Sequence, residues 1–132
     1  MGDVLKKYHE SFYVLFRVLV GLLFFQHGAQ KLFGWFTTKA AVPLFSLMGL
    51  AGVIEFFGGL AITLGILTRL AALGSILTML WAYFKVHFAN GVIPILNRGE
   101  LALLYFAALL VIIVHGARKW SLERKLIKKE LF

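Results

Sequence analysis

The chain has 132 residues, of which 61% are hydrophobic and only 15% charged, well below the roughly 25% charged content of soluble domains. With a mean hydropathy of +0.87, it reads as an integral membrane protein of one domain, burying its apolar surface against lipid. It has no cysteine, which excludes disulfides, thiolate metal sites and thiol redox relays. Its formal charge of +8 sits at the chain ends beside apolar runs, which points to an anionic leaflet rather than nucleic acid.

Four apolar segments follow in order: Phe12 to Phe33, Leu47 to Leu67, Leu70 to Asn90, and Glu100 to Gly116 or Ala117. Each is near the roughly 20 residues that a helix needs to cross about 30 Å of hydrocarbon. The expected fold is therefore all-α, an integral membrane four-helix bundle over residues 1–132 with a basic tail from residue 118 onward. The first segment is too long for the apolar part of a signal peptide, and no small-residue cleavage site follows it. Gly34, Thr37, Thr38 and Pro43 mark a loop after it. Thr68 and Arg69 predict a very tight turn joining the two middle helices into an antiparallel hairpin. In the tail, Leu122, Leu126 and Ile127 fall toward one helical side among basic residues, which fits either a segment lying along the inner membrane surface or an ordinary solvated basic tail.

With four crossings both termini share a side. That side carries Lys6, Lys7, Arg69, Arg118, Lys119, Arg124, Lys125, Lys128 and Lys129, against Lys31, Lys39, Lys85 and Arg98 opposite, with Arg17 unassigned. The bias of lysine and arginine toward the cytoplasm predicts a multi-pass cell-membrane protein with both termini cytoplasmic. Trp35, Trp81, Tyr83 and Trp120 fall toward segment borders, as interface anchors do.

Packing faces are legible as stripes. Arg17, Gly21, Phe24, Gly28 and Lys31 recur at spacings of three and four, as do Gly52, Glu55, Gly59 and Thr63. Ala71, Ser75, Thr78, Ala82 and Lys85 form a third stripe, and small residues of this kind let helices approach closely in lipid. The first helix ends on the outer side, where the second begins, the third ends and the fourth begins. At 1.5 Å per residue, Glu55 lies about 12 Å below that surface, His27 about 9 Å and Lys85 about 7 Å, with Lys31, His87 and Glu100 nearer the edge. A lone charge at mid-membrane costs about 2.5–3.5 kcal/mol on the mildest scale, so Glu55 requires a partner or a proton, with Lys85 or His27 the expected partner. The predicted site is an outward-opening polar pocket formed by His27, Lys31, Glu55, Lys85, His87 and Glu100, floored by Glu55.

The residues also carry a likeness. Arg17 with Gly21, HGAQKL from His27, EFFGG from Glu55, LGILTR from Leu64, HFANG from His87, GELALLY from Gly99 and WSLE from Trp120 stand in an order and spacing that resemble the DoxX family of small four-helix membrane proteins. The resemblance covers almost the whole chain. Arg118 stands where the family usually has a glycine, and Glu123 where it has aspartate; both departures lie at the cytoplasmic end of the last helix.

The resemblance implies a membrane subunit of a redox complex, associated with quinones or with oxidative and quinone stress. Of the pocket residues, His27, Lys31 or Lys85 would donate hydrogen bonds to a quinone's oxygens, and Glu55 or Glu100 would exchange its protons. The sequence holds no haem, iron–sulfur or flavin pattern, so electrons would come from a redox partner protein. Homo-oligomerisation is the other partnership considered. Two different readings stand beside it: a structural or assembly subunit without a ligand, and a small transporter. Lys31 and Lys85 near Glu55 would repel cationic cargo and weigh against the transporter.

Overall fold

The computed structural model describes residues 1–131; Phe132, the last residue of the expected tail, lies outside them. The fold is all-helical, with no strand among the described residues. Helix α1 runs from Gly2 to Phe33, α2 from Leu47 to Leu64 and α3 from Thr68 to Ala82. Helix α3 then continues as a π-helical turn, Tyr83–His87, and a 3-10 turn, Phe88–Asn90. A single helical turn, α4 (Pro94–Asn97), leads into α5 (Glu100–His115), and a short α6 (Leu122–Ile127) closes the chain. Helices α1 and α2, and the stretch from Thr68 to Asn90, are long and apolar enough to span a bilayer, whereas α5 is a shorter apolar helix.

The turn between the middle helices comes earlier than expected. Gly65 ends α2 in the left-handed region and Leu67, also left-handed, precedes α3, so Ile66 and Leu67 belong to the turn and Thr68 to the next helix. Ser46 caps α2, its Oγ accepting from the Gly49 amide at 3.0 Å.

The bundle is built from two tight pairs, α1 with α2 and α3 with α5, joined through α2 and α3. Glycine explains the first pair. A Cβ at Gly28 would come within 2.6 Å of the Phe56 Cα, and one at Gly59 within 2.7 Å of the Phe25 Cα, so any larger residue would force the backbones apart. Phe24, Ile62, Ile76, Met79, Tyr105, Leu109 and Ile112 fill the interior, while Leu19, Leu23, Phe57, Leu77, Leu104 and Val114 face outward. Such continuous apolar exterior is what a lipid solvent requires.

At the end of the bundle holding the termini, the C-terminal segment is clasped to the helices. The buried Arg17 guanidinium donates to the carbonyls of Ala117, Trp120, Lys119 and Thr63. Ser121 Oγ donates to the Gly65 carbonyl at 2.7 Å, and Tyr13 donates to the Gly116 carbonyl at 2.5 Å. Glu130 accepts from the Ala117 amide at 2.8 Å and pairs with Arg124 at 2.9 Å. Arg118 hydrogen-bonds and pairs with Glu10. The residues just beyond α5 are thus folded into the bundle, with Leu126 and Ile127 of α6 left exposed.

Candidate functional site

Because α1 and α5 touch at few points, a cavity of about 230 Å³ remains between the two helix pairs at the end opposite the termini. Phe24, His27 and Lys31 come to it from α1, Glu55 from α2, Met79 and Ala82 from α3, and Leu101, Ala102 and Tyr105 from α5. His87 of the π-helical turn and Arg98, just before α5, complete the wall.

Glu55 is the most buried charged group lining the cavity, only 1% exposed. Its partner is Lys31, whose Nζ lies 2.5 Å from Oε1. This corrects the expected pairing with Lys85 or His27. The reason is the Gly28 contact, which lays α1 against Phe56 and the Glu55 backbone and lets Lys31, one turn further on, fold its stem across to the acid. Lys85 ends on the exposed surface. A π-helical turn takes one more residue per turn than an α-helix, so beyond Tyr83 the chain is rotated off the stripe that Ala71, Ser75 and Thr78 predicted. Glu100, in the first turn of α5, is likewise exposed and outside the cavity. Of the six predicted residues, His27, Lys31, Glu55 and His87 are brought together and Lys85 and Glu100 are not.

The second Glu55 oxygen, Oε2, is buried with no hydrogen-bond partner. An orphaned carboxylate oxygen is costly in a low-dielectric interior, and this one belongs to a residue lining the cavity. Above it, His27 meets the Tyr105 ring edge-on, with centroids 5.6 Å apart at 87°, and Tyr105 meets Phe24 at 5.2 Å. The cavity is therefore an aromatic slot with an acid at its floor and basic groups around it.

A second layer holds His87 in place. Asn97 is buried; its Nδ2 donates to the Gly91 carbonyl at 2.9 Å, and its Oδ1 accepts from the Gly99 amide at 2.8 Å. Its backbone carbonyl lies 3.3 Å from His87 Nδ1. Tyr83, expected at the interface, is buried in this knot instead, its hydroxyl 3.5 Å from Asn97 Nδ2.

Arg98 and Tyr105 were not among the predicted site residues. Tyr105 was within reach of the sequence, since Ala102, Tyr105, Leu109 and Ile112 recur at helical spacing and form the buried face of α5. Arg98 had no such signal, because its place depends on the left-handed turn, φ 61°, that it adopts after α4.

A family model described as DoxX matches residues 12–88. A protein of Haemophilus influenzae described as an uncharacterized protein is 36% identical over 131 residues, covering 95% of this chain and 98% of its own. The inner membrane protein YqjF of Escherichia coli K12 is 31% identical over 131 residues, covering 95% of this chain and 99% of its own. No solved structure matches the chain.

Proposed function

For this chain, which belongs to the DoxX family, we propose the role of a membrane subunit that binds the ring of a quinone-class, lipid-borne redox molecule. The observation that carries the reading is a ring-sized aromatic cavity lined by His27, Tyr105 and the buried Lys31–Glu55 pair. Ligand sites are characteristically apolar clefts with a few convergent polar groups. A volume of about 230 Å³ suits one six-membered ring head better than a whole drug-sized molecule, which needs upwards of about 300 Å³. His27 and Tyr105 flank the ring, Lys31 holds the Glu55 carboxylate, and Arg98 and His87 reach its far side. A quinone-class carrier supplies two-electron chemistry coupled to two protons; Glu55 is the acid that can take or return one of them at the floor. Electrons come from a partner protein on this reading.

The Lys31–Glu55 pair beside Gly28 would also serve a purely structural subunit by fixing helix register. That reading leaves the cavity without a use. The test is to purify the protein from its native membrane and identify what lipid-soluble molecules it retains. Wild type is expected to carry a quinone-class compound. Leu101→Trp, which blocks the cavity from a half-exposed position, is expected to lose it while folding normally. Equal recovery from both proteins, or none from wild type, would favour the structural subunit.

We also propose that both termini are cytoplasmic. Arg17 lies on the terminal side of the bundle beside Ala117 and Trp120, so ten of the fourteen lysines and arginines gather there, as the positive-inside bias requires. Since the chain has no cysteine, single cysteines report topology cleanly. Thr38→Cys should react with an impermeant thiol reagent in intact cells, and Lys129→Cys only after permeabilisation; the reverse pattern would invert the orientation and turn the cavity toward the cytoplasm.

A further inference from the structure

At the end of the bundle that holds the termini, an open groove lies where α1, the last turn of α2 and the C-terminal segment meet. Its volume is about 440 Å³, and Val18, Thr63, Leu64, Trp120, Leu122 and Lys125 line it beside Arg17. We infer that this groove seats one anionic phospholipid, with its phosphate on Lys125 and the upper part of an acyl chain along Val18 and Leu64. Such a site depends neither on the ring ligand nor on the orientation proposed above.

The helices fix the height of the groove. The 18 residues of α2 span about 27 Å, close to the roughly 30 Å of hydrocarbon in a bilayer. The last turn of α2, with Thr63 and Leu64, therefore lies at the edge of that layer, where the headgroups begin. Arg17 holds the C-terminal segment at the same level, donating to the Thr63 carbonyl at 3.4 Å and to the Trp120 carbonyl at 3.0 Å. Trp120 is 84% exposed and Leu64 45% exposed. An indole at this height suits the boundary between headgroups and acyl chains, and Leu64 and Val18 continue the apolar wall.

Charge selects the headgroup. The C-terminal segment carries two acids, and neither is offered to the groove. Glu130 accepts from the Ala117 amide and pairs with Arg69 and Arg124; Glu123 is 5% exposed and does not line the groove. Arg118 is engaged by Glu10. Lys119, Lys125, Lys128 and Lys129 are exposed and form no ion pair among the described residues. The folded segment thus turns its carboxylates inward and leaves its lysines uncompensated, and Lys125 is the one of the four that reaches the groove. A phosphate at headgroup height completes it, and the lysines around it favour a lipid of net negative charge over a zwitterionic one.

The experiment takes the full chain in a mild detergent and measures, by native mass spectrometry, what it retains from an equimolar mixture of phosphatidylglycerol and phosphatidylcholine with the same acyl chains. Wild type should hold one phosphatidylglycerol, at least about fivefold in excess over phosphatidylcholine, the factor that one lysine near an anionic headgroup supplies. Lys125→Gln should remove most of that preference, and Val18→Trp, which fills the groove, should lower retention of both lipids. Lys39→Gln, in the loop at the other end of the bundle, should leave the preference unchanged. Lys128→Gln with Lys129→Gln, outside the groove, should keep it within about twofold of wild type, since separated surface charges are screened. A loss from that pair as large as from Lys125→Gln would mean diffuse attraction to the tail and overturn the site, as would equal retention of the two lipids by wild type. Glycerol 1-phosphate lacks the acyl contacts and should not displace the lipid; displacement would make this a site for a soluble phosphate. A dimer that Val18→Trp abolishes would place a second copy of the chain in the groove instead. If Val18→Trp does not fold, the comparison of Lys125→Gln with the Lys128 and Lys129 changes decides the matter alone.

Discussion

Lys31→Met is expected to destabilise the protein by about 3–5 kcal/mol, the cost of stripping one partner from a buried ion pair and leaving the other charge uncompensated. Glu55 is 1% exposed and has no second donor, since its Oε2 is already without one. Once the ammonium is gone, both oxygens are orphaned inside the bundle. The reverse substitution, Glu55→Gln, should cost far less. The Lys31 side chain is 23% exposed, so its ammonium keeps access to water and to the new amide oxygen, as a snorkelling lysine does. The double variant, Lys31→Met with Glu55→Gln, removes both charges and should return to within about 1 kcal/mol of wild type, because replacing both members of a buried pair is often close to neutral. Unfolding of the three variants in detergent mixtures measures this directly. Equal losses from the two single changes, or no recovery in the double, would mean that the pair does not bridge α1 and α2 in the membrane.

That asymmetry was invisible in the sequence, and the reason is physical. Helix length, the convergence of four helix ends away from the termini and the burial of Glu55 all follow from hydropathy and from 1.5 Å of rise per residue, although α1 begins at Gly2, ten residues before its apolar run, and α2 ends at Leu64, short of the expected Leu67. Which helix supplies the partner of Glu55 depends on lateral packing, which depth does not report. Lys85 lies at a suitable depth but on the wrong side of a π-helical turn that no residue pattern announced. Lys31 lies nearer the surface, but Gly28 brings its helix within reach. Tyr105 was hidden differently: its stripe was readable, but a tyrosine on an apolar face looks like core until the sparse contact between α1 and α5 shows a cavity in front of it. Arg17 was marked as sharing the face of Gly21 and Phe24, yet its acceptors are backbone carbonyls, and side-chain spacing cannot point to these.

Those carbonyls give Arg17 the other large effect expected. Its guanidinium is 1% exposed and none of its partners is a carboxylate. Instead it donates to Thr63 in the last turn of α2 at 3.4 Å, to Trp120 at 3.0 Å, to Lys119 at 3.5 Å and to Ala117 just past the end of α5. Two helix C-termini, each with a partial negative charge from unsatisfied carbonyls, therefore do the work of a counter-ion. The planar fork spreads its donors over acceptors from α2 and from the loop after α5, which a single ammonium on a flexible stem cannot match.

Arg17→Lys should accordingly be nearly as damaging as Arg17→Met. Hydrogen bonds to a charged group contribute about 1.5–3 kcal/mol each, so losing two of them costs about 3 kcal/mol or more. The damage should be local at first: residues 116–131 come away from Gly65 and Thr63, while the α3–α5 pair, within whose helices Arg17 has no hydrogen-bond acceptor, keeps its packing. Hydrogen exchange measured by mass spectrometry separates these regions. In Arg17→Lys the amide of Glu123, bonded to the Gly65 carbonyl at 3.4 Å, and its neighbours should exchange much faster than in wild type. Amides of α3 should remain protected, which a general loss of stability would not allow. Wild-type protection of residues 116–131 in Arg17→Lys would show that a point charge suffices there, and that the forked geometry of Arg17 is not what ties the C-terminal segment to the bundle.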